Sequence, residues 1–202
     1  MIFAELARTP DPALDALALA MAAEFGPVDA AWACARLGEL GDEVAAVGGD
    51  VAAVLGGRHG FAGDRERYDD PRNSMLDVVL RRRRGLPILL SVVYIEVGRR
   101  AGVAVKGVGL PGHFVVSRDE QLLDPFAGGN PVAADVPAPL RRPWSSLEIA
   151  MRMLNNLVGG FERRGDLSRA LRAAELRLAL PTTPDTRVPL DAELSALRAR
   201  LN

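Results

Sequence analysis

This sequence contains few of the residues that most often carry out chemistry in proteins. Its 202 residues include one cysteine, Cys34, and two histidines, His59 and His113. A single cysteine excludes a disulfide within the chain, which fits a reducing compartment. The two histidines lie far apart in sequence, and no cluster of cysteines or acidic residues accompanies them. Because this is no recognisable metal-ligand spacing, we expect neither a metal nor a cofactor.

Long apolar runs and net charge are also missing. The longest apolar stretch, residues 86–95, is interrupted by Ser91 and reaches about half the length of a membrane-spanning helix. The N-terminus has an acidic residue and a proline-rich turn where a secretory signal has a basic start and an apolar core. With 25 basic and 26 acidic residues, the net charge of -1 attracts neither nucleic acid nor an anionic membrane. We therefore expect a cytoplasmic protein that binds neither.

What the sequence does contain is a series of helix signals around one region of alternating apolar residues. At 49% hydrophobic, the chain can bury a substantial core. The spacing of apolar residues and the helix start and stop signals predict helices over residues 12–25, 42–55, 75–83, 87–101 and 190–201. Further helices are predicted to begin at 27, 145 and 167. Strands are expected from 103 to 108, over 113–117 and over 122–124, and irregular structure over 56–74 and 126–143.

These elements predict an α+β fold in three segments. Residues 1–60 would be an N-terminal helical region, 61–143 a core with a central buried helix against a small antiparallel sheet, and 144–202 a helical tail. The central helix is preferred to a strand because Pro87 suits a first helical position and Gly102 suits the residue after a C-cap. In the tail, NLVGGFERRGDLSRALRAAELRLALP looks like one tetratricopeptide-type hairpin. A single repeat cannot bury its own face, so it should pack on the core.

Several reactive or charged residues have plain structural interpretations. Cys34 is expected to be a small buried side chain on the helix that begins at Pro27, because Arg36 is the only basic residue beside it. His59 lies in a glycine-rich loop and should be solvated or locally hydrogen bonded. The arginine run at 81–84 is interpreted as a solvated helix end, with a phosphate-binding patch as the alternative.

His113 and Asp124 are the strongest candidates for a functional pair. If the hairpin turn is centred on Asp119 and Glu120, Arg118 pairs with Gln121 and both candidates lie on one face of the sheet. A three-residue loop would put them on opposite faces. A carboxylate on one imidazole nitrogen would leave the other as a general base, although a purely structural pair is an equal alternative.

The segments YDDPRNSMLDVVLRRRRGLPILLSVVYIEVGRRAGVAVKGVGLPGHFVVS and LLDPFAGG resemble the bacterial SirB-type transglutaminase-like proteins, of the papain-related superfamily. The likeness is strong over residues 61–129 and loose in the flanks, where that family also has N-terminal helices and a tetratricopeptide-like tail. It implies that His113 and Asp124 occupy the histidine and aspartate positions of a catalytic triad. The family's cysteine would open the central helix, where this chain has Pro87 and Ile88.

The missing nucleophile leaves two hypotheses for function. The first is a pseudoenzyme, a binding or regulatory scaffold whose pocket, lined by His113, Asp124, Asn73 and Tyr94, takes a peptide or protein partner. The second is an amide or ester hydrolase or acyltransferase that uses Ser91 or a water activated by His113. Ser91 is more simply explained as a small packing residue whose hydroxyl bonds back to the Pro87 carbonyl. The sequence leaves the oligomeric state open.

Overall fold

The structure, a computed structural model, describes residues 2–132 and 136–201. These residues form a mixed helix and sheet fold, in agreement with the α+β prediction at that level. The helices are α1 Phe3–Leu6, α2 Leu14–Ala23, α3 Ala30–Ala46, α4 Leu76–Arg82, α5 Pro87–Arg100, α6 Ser146–Arg163, α7 Leu167–Arg177 and α8 Pro184–Leu201. Residues 133–135 of the predicted irregular connection lie outside the described residues.

The strands form a four-stranded antiparallel sheet and a two-stranded parallel one. The larger sheet has the order β3 Lys106–Leu110, β4 His113–Arg118, β5 Gln121–Asp124 and β6 Asn130–Pro131. The smaller sheet pairs β1 Ala62–Gly63 with β2 Arg84–Gly85. The first predicted strand is present but begins three residues later than expected. Sequence periodicity did not indicate β1, β2 or β6, because two-residue strands are too short for an alternating pattern.

Helix α5 is buried along most of its length and contacts α3, α4 and the β4 strand. The helix prediction is confirmed: Pro87 is its first residue, and Gly102 follows it with a φ of +72°. Near its end, Glu96 is only 2% exposed and accepts hydrogen bonds from Arg99 and Arg100. Arg100 also pairs with the buried Asp15 of α2. This ion cluster therefore joins α2 to the end of the central helix.

Helix α3 corrects two predictions. One continuous helix spans Ala30–Ala46, where a helix from Pro27 and a separate one over 42–55 were expected. Its buried side is formed by Ala33, Leu37, Leu40 and Val44, so the prediction that Cys34 is buried was wrong. Trp32 instead stacks on the guanidinium of Arg81, with 3.8 Å from its carbon to the ring centroid. Cys34 lies outside the buried stripe and is exposed.

The glycine-rich stretch that was predicted to be loop is partly helical. Residues Ala53–Arg58 form a π-helical turn, and Pro71–Ser74 a 3-10 turn. At Gly56 a β-carbon would lie 1.7 Å from the carbonyl oxygen of Gly128, so two backbone segments approach closely there. Only a residue without a side chain permits this contact. The paired glycines at 56 and 57 suggest a loop in sequence, whereas Gly56 is a packing site.

The C-terminal helices pack on the rest of the molecule, as expected for a helical hairpin that cannot bury its own face. Helix α6 begins with the predicted capping box, in which Ser145 and Glu148 exchange hydrogen bonds. The rings of Phe25 and Phe161 join the end of α2 to α6 at 5.2 Å between centroids. Helix α8 starts six residues before the predicted 190. One cluster of buried side chains runs from Phe3 to Leu197, and the three-segment division stays a prediction.

Candidate functional site

The β4 and β5 strands form the hairpin that brings His113 to Asp124. Arg118 pairs with Gln121, which confirms the predicted register, and both turn residues have positive φ, 47° and 67°, as in a two-residue type I′ turn. His113 Nε2 lies 3.0 Å from Asp124 Oδ2. The side chains are 33% and 22% exposed, so the pair can be reached from solvent.

Asp124 is held from two directions. Its Oδ2 contacts His113, and its Oδ1 accepts a hydrogen bond from the Phe126 amide at 2.9 Å, which caps the 3-10 turn Pro125–Ala127. Partial burial acts to raise the pKa of this carboxyl, but the His113 hydrogen bond and charge and the amides that follow lower it below its ordinary value. A charged carboxylate can only accept, so Nε2 donates to it and Nδ1 is left for other partners.

The backbone and the ring of His113 also contact residues other than Asp124. Its carbonyl oxygen accepts a hydrogen bond from Arg152 Nη2 of α6 at 2.9 Å, and its backbone pairs with Leu110 across the β3–β4 turn. The ring stands edge-on to Phe126, with 6.3 Å between centroids. The histidine is therefore oriented by a strand, a helix and an aromatic ring together.

Phe126 is the centre of a surface cluster that the sequence did not reveal. Besides His113, the ring contacts Tyr68, edge-on at 5.9 Å, and lies under Arg65, whose guanidinium carbon is 5.5 Å from the centroid. Room for the ring comes from Gly63, where a β-carbon would be 2.2 Å from it. Tyr68 is 46% exposed. Tyr68, Arg65 and Gly63 come from a predicted loop without periodicity, so only the fold could place them here.

Tyr94, one of the two predicted substrate-binding residues, is near the pair but closed off from solvent. It is fully buried in α5, and its hydroxyl lies against Gly56 and Gly129. Burial, together with the charges of Asp124 and Asp50, raises the pKa of this phenol. Its hydroxyl has no hydrogen-bond partner in the part of the chain that the structure describes.

The other predicted substrate-binding residue, Asn73, lies in the core and is not brought to His113. It is fully buried in the 3-10 turn Pro71–Ser74. Its Nδ2 donates to the Arg67 carbonyl at 2.7 Å, and its Oδ1 accepts from Arg82 at 3.2 Å. Its own carbonyl accepts from the Leu86 amide. Both ends of the side chain are therefore used to fix this loop against the start of α5.

The candidate nucleophile Ser91 is fully buried in α5. Among the residues described, its hydroxyl has no hydrogen-bond partner, so the expected bond to the Pro87 carbonyl is wrong, and no bond joins it to His113. A helical carbonyl already accepts the backbone amide four residues later, which satisfies it without the hydroxyl. Pro87 and the buried Ile88 stand at the start of the helix.

The second histidine and the arginine run are engaged within the protein. His59 Nε2 lies 2.8 Å from Glu43, and Arg36 donates to its Nδ1 at 3.3 Å. Both partners come from α3, so the contacts are not local as predicted, and the ring is only 15% exposed. The arginines at 81–84 contact a tryptophan ring, carboxylates and backbone carbonyls. Arg81, Arg83 and Arg84 are also exposed, which agrees with the predicted solvated helix end more than with an open phosphate site.

Across residues 2–132 and 136–201, no three His, Cys, Asp or Glu side chains are grouped so that they could hold a metal ion. None of the helices in the same residues combines the length and the apolar character needed to cross a membrane.

The sequence match places this hairpin and central helix in a known family. A family profile described as transglutaminase-like superfamily matches residues 14–156, and the chain belongs to that superfamily. The match includes His113, Asp124 and the whole of α5.

Individual curated proteins are also similar to this chain in sequence. A UPF0162 protein of Xylella fastidiosa strain 9a5c is 38% identical over 149 residues, 62% of this chain and 53% of that protein. The UPF0162 protein of Pseudomonas aeruginosa is 34% identical over 160 residues, 72% of this chain and 59% of that one. F-box only protein 21 of Homo sapiens is 29% identical over 163 residues, 70% of this chain and 25% of that protein. The chain thus spans about half the length of the bacterial relatives, and no solved structure gives a significant match.

Proposed function

We propose that this chain is a binding module of the transglutaminase-like superfamily, a pseudoenzyme that holds a peptide or protein partner without turning it over. The observation that carries the proposal is the combination of an accessible His113–Asp124 pair with Pro87 and Ile88 at the start of the buried helix. Proline and isoleucine side chains cannot attack a carbonyl group. The exposed Cys34 belongs to α3.

The surface around the pair supports a role in binding. Tyr68 and Phe126 present aromatic rings beside His113, and Arg65 covers one of them. Tyrosine and arginine are enriched among the residues that contribute most to protein–protein affinity. Because Nε2 of His113 donates to Asp124, Nδ1 of a neutral imidazole can accept a hydrogen bond from a peptide N–H beside these rings.

The finer family assignment is part of the same proposal. We place the chain among the SirB-type proteins, with α5 against the antiparallel sheet as the transglutaminase-like core and α6–α7 as a tetratricopeptide-like contact surface. Residues 1–60, 61–143 and 144–202 would be its N-terminal, core and tail segments. A cytoplasmic location, with neither nucleic acid nor membrane as partner, agrees with the near-zero charge and the single cysteine.

The binding test uses peptides selected against the purified protein from a display library. His113→Ala is expected to weaken binding of the selected peptides at least about tenfold, the loss typical of a central interface residue. The matched control is His59→Ala, because His59 also pairs with a carboxylate but lies elsewhere. Equal losses in both variants, or none in His113→Ala, would refute binding at this pair.

Catalysis is tested separately with peptide amides and p-nitrophenyl acetate. The proposal expects no turnover that depends on His113. Hydrolysis that is present in the wild type and absent in His113→Ala would overturn it, and would favour a water activated through the free Nδ1.

The serine version of the alternative enzyme is tested by labelling. A fluorophosphonate should not modify Ser91, because its hydroxyl is fully buried and unbonded within the described structure. Covalent labelling that is lost in Ser91→Ala would instead establish a serine nucleophile. Ser117, which is partly exposed on β4, is the control for non-specific modification.

A further inference from the structure

A separate groove lies where the end of α2 meets α4 and the turn between α6 and α7. Its volume is about 390 Å³, near the lower end of the range found for small-molecule sites. Its apolar lining includes Phe25, Val28, Met75, Val78 and Phe161. The groove is lined by neither His113 nor Asp124, so it is distinct from the candidate site.

Most of the charge in this groove is already neutralised. Asp70 pairs with Arg72 at 2.7 Å, and Asp166 pairs with Arg169 at 3.1 Å. Asp77 differs from both. It is 7% exposed, and no group within residues 2–132 and 136–201 donates a hydrogen bond to its carboxylate or forms an ion pair with it.

An unpaired buried carboxylate is unusual in a folded protein. Removing a charge from water is costly, and buried carboxylates are normally paired or hydrogen bonded. Asp77 lies in the first turn of α4, where the helix end favours negative charge, but a seven-residue helix offers only weak compensation. Within the described residues, the carboxylate oxygens of Asp77 are not among the polar atoms closed off from water, so they face the open groove, where a bound cation would supply the missing counter-charge.

We propose that the groove is a binding site for a small organic cation, a primary amine or guanidine joined to an apolar group. The cation would pair with Asp77, and the apolar group would pack on Phe25, Phe161 and Val78. A neutral or anionic ligand of the same shape would leave the carboxylate unpaired and buried. Arg164 also reaches the rim, but it is exposed, so water and salt screen its repulsion of a bound cation.

The probe is phenethylamine, and the comparison ligand is 2-phenylethanol, which has nearly the same shape and no charge. Binding is followed through the NMR methyl signals of Met75, Val28 and Val78, which report on this groove alone. We expect saturable shifts, with affinity for the amine at least about tenfold higher than for the alcohol. Equal affinities, or no saturable shift with phenethylamine, would overturn the proposal without any variant.

Two isosteric variants test which carboxylate pairs with the bound amine. Asp77→Asn should reduce the preference for the amine to within about twofold, because the cation loses its only direct counter-ion. Asp166→Asn is the matched control: it removes the same charge from the same groove, and asparagine caps the start of α7 equally well. Equal loss in both variants, or a full preference retained in Asp77→Asn, would contradict the assignment. His113→Ala should leave amine binding unchanged, which separates this site from the proposed peptide site.

Discussion

Gly56 and Gly57 provide a sharp test of how the candidate site is built. A β-carbon at Gly56 would lie 1.7 Å from the Gly128 carbonyl oxygen and 3.2 Å from the Tyr94 hydroxyl. At Gly57 the nearest heavy atom would be 4.0 Å away. Neither glycine has a positive φ, and both lie in the same π-helical turn. Alanine at Gly57 therefore tests helical preference alone, and alanine at Gly56 adds a collision with backbone.

The two alanine substitutions are expected to change the free energy of unfolding in opposite directions. Alanine is favoured over glycine in helices by about 0.5–1 kcal/mol, so Gly57→Ala should leave stability unchanged or raise it by that amount. Overpacking costs about 1–3 kcal/mol, and a backbone carbonyl cannot rotate aside as a side chain can, so the upper half of that range applies to Gly56→Ala. A loss of about 2–3 kcal/mol corresponds to a fall in Tm of about 4–12 °C for a chain of this length.

Urea unfolding followed by circular dichroism measures both variants. The collision should also disturb the site, because Gly128 directly follows the turn that Asp124 caps. The NMR signals of the His113 ring should therefore move in Gly56→Ala and stay in place in Gly57→Ala. Stabilities that agree within about 0.5 kcal/mol would show that this backbone contact is absent in solution.

Three further predictions concern other parts of the fold. Asp124→Asn should cost about 1 kcal/mol at neutral pH. The folded state lowers the Asp124 pKa. The stability difference between wild type and Asp124→Asn should therefore be present above the ordinary carboxyl pKa of about 3.9, and it should disappear as the pH falls through the lowered pKa of the folded protein. Urea unfolding at several pH values measures this difference. Arg99 and Arg100 both pair with the buried carboxylates of Asp15 and Glu96, but Arg100 is the less exposed of the two. Arg100→Met should therefore cost about 3 kcal/mol, whereas Arg99→Met, whose side chain is 56% exposed, should cost less than about 1 kcal/mol in the same assay. Cys34 should react with a thiol reagent in the native protein as fast as after unfolding, and protection would place it back in the core.

The parts of the fold that could be predicted have local causes. Pro87 and Gly102 delimit α5 through restrictions on their own backbones, and Ser145 caps α6 with a residue three positions away. The β4–β5 register follows from a two-residue turn, and that register alone put His113 and Asp124 on one face. Each inference uses residues that are neighbours in sequence.

The parts that could not be predicted depend on distant contacts. The buried face of α3 is determined by what α5 presents to it: a β-carbon at Gly41 would lie 2.7 Å from the Arg100 β-carbon. The contact between Tyr68 and Phe126 depends on the pairing of β1 with β2 and on the space that Gly63 leaves for the Phe126 ring. Asn73 looked like a pocket residue because nothing in its neighbourhood indicated Arg82 as its partner. A single sequence shows the residue types at such positions but not their partners.

Asp124 and His113 differ in what their presence implies about function. Asp124 caps the Pro125–Ala127 turn through the Phe126 amide, a task that stabilises the fold whether or not His113 is there. The presence of Asp124 is therefore explained without any chemistry. His113 has no comparable task for its side chain, because Arg152 holds its backbone carbonyl and any residue would supply that group. The His113 ring bonds to Asp124, meets the Phe126 ring edge-on, and has an Nδ1 without a partner among the described residues. Substitutions of His113 therefore separate binding from structure better than substitutions of Asp124.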